Sequence, residues 1–188
     1  VGDTPSLRVE AQQSVLERLR TSVEEDTLHL RERDAWLNVG GLWGQERITY
    51  HLTVPSLKAM DLSGAIAVHG TGALETDELV ISCSGSTDLD LQVQAGTLRL
   101  KTSGSADVRL TGSADSVFYD NSGSTHAAAA GLTSQTVSVE CSGSSDIEVN
   151  AVESLRVRAS GSSKVSYLGD PVLDTDISGS GEVRRLEQ

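Results

Sequence analysis

From residue 64 onward a glycine following a serine recurs at Gly64, Gly85, Gly104, Gly123, Gly143, Gly161 and Gly179. Three positions after these glycines stand Ala67, Asp88, Asp107, His126, Asp146, Lys164 and Glu182. If the repeats stack, these residues form one row, with Asp88 and Asp107 as neighbouring carboxylates about 5 Å apart, the spacing of adjacent strands. Such a pair suits Ca²⁺, a hard cation that prefers oxygen ligands, or acid–base work at a scissile bond. The competing reading is a solvated charge ladder. His126 stands between two aspartates and Lys164 between an aspartate and a glutamate, which balances charge along the row. Asp after Ser-Gly-Ser is also ordinary turn chemistry. The ladder is the stronger reading, so no catalytic residue, metal or cofactor is assigned, and Asp88 and Asp107 stay a weak Ca²⁺ candidate. Asp88, Asp107, His126 and Asp146 are kept as candidate contacts for a ligand or partner.

Other chemistries find no support. The chain contains no GxSxG elbow, HExxH, phosphate loop or CxxC. His29, His51, His69 and His126 are scattered. The formal net charge of −12 lacks the basic face that nucleic acid or anionic lipid requires. No apolar run approaches the roughly 18 residues of a membrane helix. The chain begins at Val1 rather than Met. It is therefore read as a processed product, from which a signal segment could have been removed.

The elements that must position the row follow from the repeat itself. The glycines are 21, 19, 19, 20, 18 and 18 residues apart. Four residues after them stand Val68, Leu89, Val108, Ala127, Ile147, Val165 and Val183, all apolar. Six residues before stand Leu79, Leu98, Val117, Val137, Leu155 and Leu173, and the intervening positions are mostly polar. This is the period-two pattern of a strand with one buried face. A unit of about 19 residues cannot bury that face alone, but stacked units can. The reading is an all-β fold, a single-stranded parallel β-helix of about seven turns, right-handed by the crossover preference. The glycines mark its structural turns, where positive φ is needed. "NSGSTHAAAA" is a small-sided level that reads as a dent or a packing place.

Cys83 and Cys141 fall on equivalent inward positions three turns apart, about 14 Å at strand spacing. A disulfide needs Cα atoms within about 7 Å. Both are therefore expected to be buried free thiols. Asn121 and Thr102 lie on the same inward row and are expected to satisfy each other or the turn backbone.

Residues 1–62 differ from the repeats of 63–188. "SLRVEA", "VLERLRTSVEEDTLHLRER" and "RITYHLTV" read as strands and hairpins that cap and extend the first turn. "AQQSVLERLR" tolerates both helix and strand periods, and strand is preferred. "DAWLNVGGLWGQ" carries Trp36 and Trp43. It reads as a loop over the column end or as an aromatic contact for a ligand or partner.

"LTVPSLKAMDLSGAIAV", the recurring SGS-x-D units and "YLGDPVLDTDISGSGEVRR" together resemble the auto-transporter adhesin head GIN domain family (DUF2807). Pro55, Leu57, Gly169 and Pro171 carry the more specific part of the likeness. The resemblance implies a bacterial, exported β-helix with an adhesive role and no catalytic residues. "NSGSTHAAAA", lacking the aspartate, and "SGSSKV", with lysine in its place, depart from the pattern. The expected function is a non-enzymatic extracytoplasmic interaction module, located in the periplasm, at the outer membrane or cell surface, or secreted. Its partner would be a protein or glycan, with a homodimer through the exposed β-helix end as a further expectation. The alternatives are a carbohydrate-active enzyme on the same scaffold and a self-assembling envelope protein.

Overall fold

The structure is a computed structural model that describes residues 4–32 and 48–187. The chain divides into two compact units, Gly2–Pro55 and Ser56–Gln188.

In the first unit, β1 (Ser6–Glu10) and β4 (Thr49–Thr53) pair antiparallel, with Arg8 opposite His51. β2 (Leu19–Glu24) and β3 (Thr27–Glu32) form a second antiparallel pair. The polar turn expected inside "SVEEDTLHL" is a two-residue loop, Glu25–Asp26, with both φ positive at 47° and 61°. That backbone matches the right-handed twist of the flanking strands. The strand preferred across "AQQSVLERLR" needs correcting. Gln13–Leu16 forms one helical turn, α1, closed by Leu16 N–H donating to Gln12 C=O at 3.0 Å, and the strand begins only at Leu19. Gln, Ser, Val and Leu accept either period, and the Leu16–Gln12 bond closes the tighter one.

The second unit is a stack of parallel levels. β5 runs as extended backbone from Ala59 to Leu168, 110 residues in all. The connections that the sequence pattern left as variable are thus drawn into the ladder as well. β6 (Val172–Gly179) and β7 (Glu182–Arg185) pair parallel with β5. Ser154 faces Val172 and Lys164 faces Glu182, a shift of one repeat. The core runs inside the stack. Leu79, Leu98, Val117, Val137 and Leu155 line one inner row, and Leu89, Val108, Ala127, Ile147 and Val165 another, all buried. Each large aliphatic side chain removed from water contributes about 1.5–3 kcal/mol. The alanine-rich level is not a dent. Ala127 and Ala129 point inward and are buried, and the same level carries Tyr119, the bulkiest side chain of its inner row.

The corner explains the repeat. Gly104 has φ +118°, and a Cβ placed on it would come closer than 3.0 Å to the carbonyl oxygen of Gly85. The same relation links Gly85 to Gly64, Gly123 to Gly104, Gly143 to Gly123, Gly161 to Gly143 and Gly179 to Gly161. At this corner a side chain would point along the stack into the previous level, so only glycine fits. Corner serines bond downward: Ser160 Oγ donates to Cys141 C=O and Ser163 Oγ to Gly143 C=O, each at 3.4 Å.

Beneath the corner lies one buried polar column. Thr102 Oγ1 donates to Asn121 Oδ1 at 2.6 Å and Thr125 Oγ1 donates to the same oxygen at 2.7 Å. Asn121 Nδ2 donates to Ser145 Oγ. The pairing expected of Asn121 and Thr102 is present, and it extends over three levels.

Two predictions follow from this packing. Gly104→Ala is expected to lower stability by at least about 2 kcal/mol through forced positive φ and axial overlap. Gly72→Ala, where a Cβ meets nothing within 4 Å, is expected to stay within about 0.5 kcal/mol. Urea unfolding of both variants checks the contrast. Asn121→Ala, which leaves three buried hydroxyls short of a partner, is expected to cost about 2–4 kcal/mol in the same assay.

Candidate functional site

The residues around each glycine have distinct directions. The serines immediately before and after it are exposed on successive levels: Ser84 and Ser86, Ser103 and Ser105, Ser122 and Ser124, Ser142 and Ser144. Two positions after the glycine the chain turns inward again, burying Thr87, Ala106, Thr125, Ser145 and Ser163. The third position returns to the surface, and this is the row of Asp88, Asp107, His126 and Asp146. These four side chains, with Ser86, Ser105, Ser124 and Ser144, line one open groove of about 830 Å³ along the corner. The structure therefore brings together the four candidate contacts of the row.

The electrostatics are those of a ladder. Lys164 Nζ lies 3.6 Å from Asp146 Oδ2, and Lys164 is the register neighbour of Glu182. Asp146 Oδ1 is buried without a hydrogen-bond partner. Among the described residues no three His, Cys, Asp or Glu side chains converge on a point where a metal could sit. Asp88 and Asp107 share the groove as successive members of a row and are not joined by a third ligand. The arrangement offers hydroxyls and carboxylates at a repeat of about 4.8 Å, a surface for hydrogen bonding an extended or hydroxyl-rich partner. Trp36 and Trp43 lie outside the described residues.

A smaller hollow of about 310 Å³ lies on the other side of the corner, around Arg158, Asp120, Glu140 and Asp176. Its charged residues all fall three positions before a glycine, a row that also contains Lys101. The recurrence of charged residues along that row was its only signal in the sequence.

Both cysteines are unpaired and buried. Desolvation raises the Cys141 thiol to about 11, against a weaker opposing hydrogen bond from Ser145. Burial also raises Cys83, with Thr87 opposing. The Tyr119 phenol is likewise pushed up by burial, and its hydroxyl has no partner. These are core groups and take no part in the groove.

Fold and groove together define a repeat-built parallel β-helix whose corner groove carries serine and carboxylate side chains beside Ala65, Ile66, Ala67 and Ala106. The family described as "Putative auto-transporter adhesin, head GIN domain" matches residues 1–171. The chain belongs to that family. Among solved structures it is similar to a putative adhesin from Bacteroides fragilis NCTC 9343, with TM-score 0.82 and 24% identity over 97% of this chain and 83% of the other. A putative adhesin from Parabacteroides merdae ATCC 43184 aligns with TM-score 0.64 and 16% identity, over 100% of this chain and 85% of the other. A protein described as a putative lipid binding protein from Parabacteroides distasonis ATCC 8503 aligns with TM-score 0.62 and 18% identity, over 100% and 86%. At these identities the likeness establishes the fold. No curated protein matches the chain.

The buried thiols have a measurable consequence. Neither is expected to react with an aromatic disulfide reagent in the folded chain at neutral pH, and both are expected to react in denaturant. The unfolded Cys141 thiol loses its proton near 9 and the folded one near 11. Over that window the folded state holds more protons, so stability falls as pH rises from 9 to 11. In Cys141→Ala this portion of the fall is expected to disappear from the urea midpoints.

Proposed function

We propose that this chain is a non-enzymatic adhesion module whose contact surface is the corner groove, and that its partner is a glycan or protein displayed outside the cell. The observation that carries this reading is the gathering of four exposed serines and the Asp88–Asp107–His126–Asp146 row on one open groove. Regularly spaced hydroxyls and carboxylates suit many weak, parallel hydrogen bonds along an extended ligand. Family membership supports an extracytoplasmic location and an adhesive rather than catalytic role. Trp36 and Trp43 are carried forward as additional aromatic contacts.

The test is a glycan array and a surface-protein panel screened with the unaltered chain, followed by variants against any hit. Ser105→Leu and Asp107→Asn are each expected to weaken binding about tenfold, with an unchanged unfolding midpoint. Gln92→Ala, on the sheet away from the groove, is expected to leave binding unchanged. Turnover of an acidic polysaccharide that Asp107→Asn abolishes would instead establish the enzyme reading and overturn this one.

A further inference from the structure

The sheet that precedes the glycine corner carries one phenylalanine on its outer face. Phe118 is the chain's only phenylalanine. It stands within the stack, with levels on both sides of it, and is 37% exposed. It lies five positions before Gly123, and the same position on neighbouring levels holds Arg99, Ser138 and Arg156. Thr136 Oγ1 donates to Ser116 Oγ at 3.0 Å, which fixes the register of this row and sets Ser138 beside Phe118.

The two sides of the ring differ. Arg99 Cζ lies 4.3 Å from the ring centroid, and Arg99 Nε is held by Glu78 Oε1 at 3.3 Å. Arg99 belongs to the level before, so the opposite side of the ring is turned to the level after. There the row drops to a serine. The next large side chain is Arg156, two strand spacings from Phe118, about 10 Å. Its guanidinium is drawn onward to Asp174 at 2.8 Å. Atoms in contact lie about 3.5–4.0 Å apart, so the interval over Ser138 admits one ring, where a larger side chain would have completed the row.

The rim of this slot offers acceptors. Asp120 and Glu140 follow Phe118 and Ser138 by two positions and line the hollow of about 310 Å³. Both are exposed, and neither takes part in an ion pair or a side-chain hydrogen bond among the described residues. Arg158, next on their row, bonds to Asp176 instead. On the other edge Thr136 Oγ1 already donates to Ser116, so only its lone pairs remain. Ionised carboxylates likewise only accept. An occupant must therefore be apolar on the face toward Phe118 and carry donors around its edge. A pyranose ring meets both conditions, with axial C–H bonds on its face and hydroxyls at its rim.

We propose that the slot between Phe118 and Arg156, over Ser138, binds one pyranose unit of a glycan. The sugar stacks on the open side of Phe118 and donates hydroxyl hydrogen bonds to Asp120 and Glu140. This site lies on a different sheet from the corner groove and stands independently of it.

The test follows the ring signals of isotope-labelled phenylalanine by NMR, which report this slot alone because the chain has one phenylalanine. The probes are the methyl glycosides of galactose, glucose, mannose and N-acetylglucosamine. At least one is expected to shift the Phe118 signals saturably, with half-saturation at about 1–20 mM. Ser138→Leu, which fills the slot from an outward position, is expected to weaken that binding at least about tenfold. Glu140→Gln, which keeps the shape and removes the charge, is expected to weaken it about tenfold through loss of a charge-assisted hydrogen bond. Unmoved Phe118 signals with all four glycosides at about 50 mM would overturn the proposal. So would a saturable shift that survives Ser138→Leu, or one produced by benzamidine and by none of the glycosides, since a cationic aromatic group would then be the occupant.

Discussion

Everything in the stacked unit depends on the clearance between successive levels at the glycine corner. Strands about 4.8 Å apart leave no room for a side chain directed along the stack. A Cβ on any glycine from Gly85 to Gly179 in the column would overlap the carbonyl of the glycine before it. The restriction to glycine makes the corner sharp. The sharp corner leaves the flanking serines exposed and turns the next residue inward. The one after that is then returned to the surface, where the aspartate row forms. The groove is thus a geometric product of the same constraint that lets the levels stack at all.

Interchangeable levels raise a problem of order. The glycine contacts, the aliphatic rows and the corner serines recur with little variation, so they do not distinguish one level from another. The interior does. Asn121 links the levels of Thr102 and Ser145 and has no equivalent elsewhere on its row, where Cys83, Cys141, Ala159 and Ile177 stand. A buried amide is costly wherever its partners are missing, so a displaced level would leave it unsatisfied. Tyr119 is a second irregularity, the one buried aromatic on a row otherwise filled by Ile81, Leu100, Val139 and Val157. One polar and one steric irregularity mark the middle of an otherwise uniform stack.

The surface chemistry is distributed. Carboxylates alternate with His126, Lys164 and Arg158 along the rows, and ion pairs such as Lys164–Asp146 and Arg156–Asp174 join neighbouring levels. Such exposed pairs each contribute little to stability. Their effect is to give each face a repeating pattern of hydroxyl, acid and base.

Much of this was legible in the sequence because the repeat is one-dimensional. Spacing alone identified the glycine column, the inward rows, the equivalence of Cys83 and Cys141 and the inward position of Asn121 and Thr102, whose partnership rather than turn-backbone bonding the structure decided. The helical turn at Gln13–Leu16 was not legible, since its residues suit two periods. Nor was the choice between a dent and a packing place at the alanine level, since the inward direction of Ala127 and Ala129 is a burial fact. The sequence placed Asp88, Asp107, His126 and Asp146 on one row. Tertiary structure alone decided that the serine row and the acidic row share one groove, and that Leu173 and Ile177, identical in pattern to buried residues below, are exposed. Periodicity records which way a residue points within its own level, whereas burial and grooves depend on what lies on the level above.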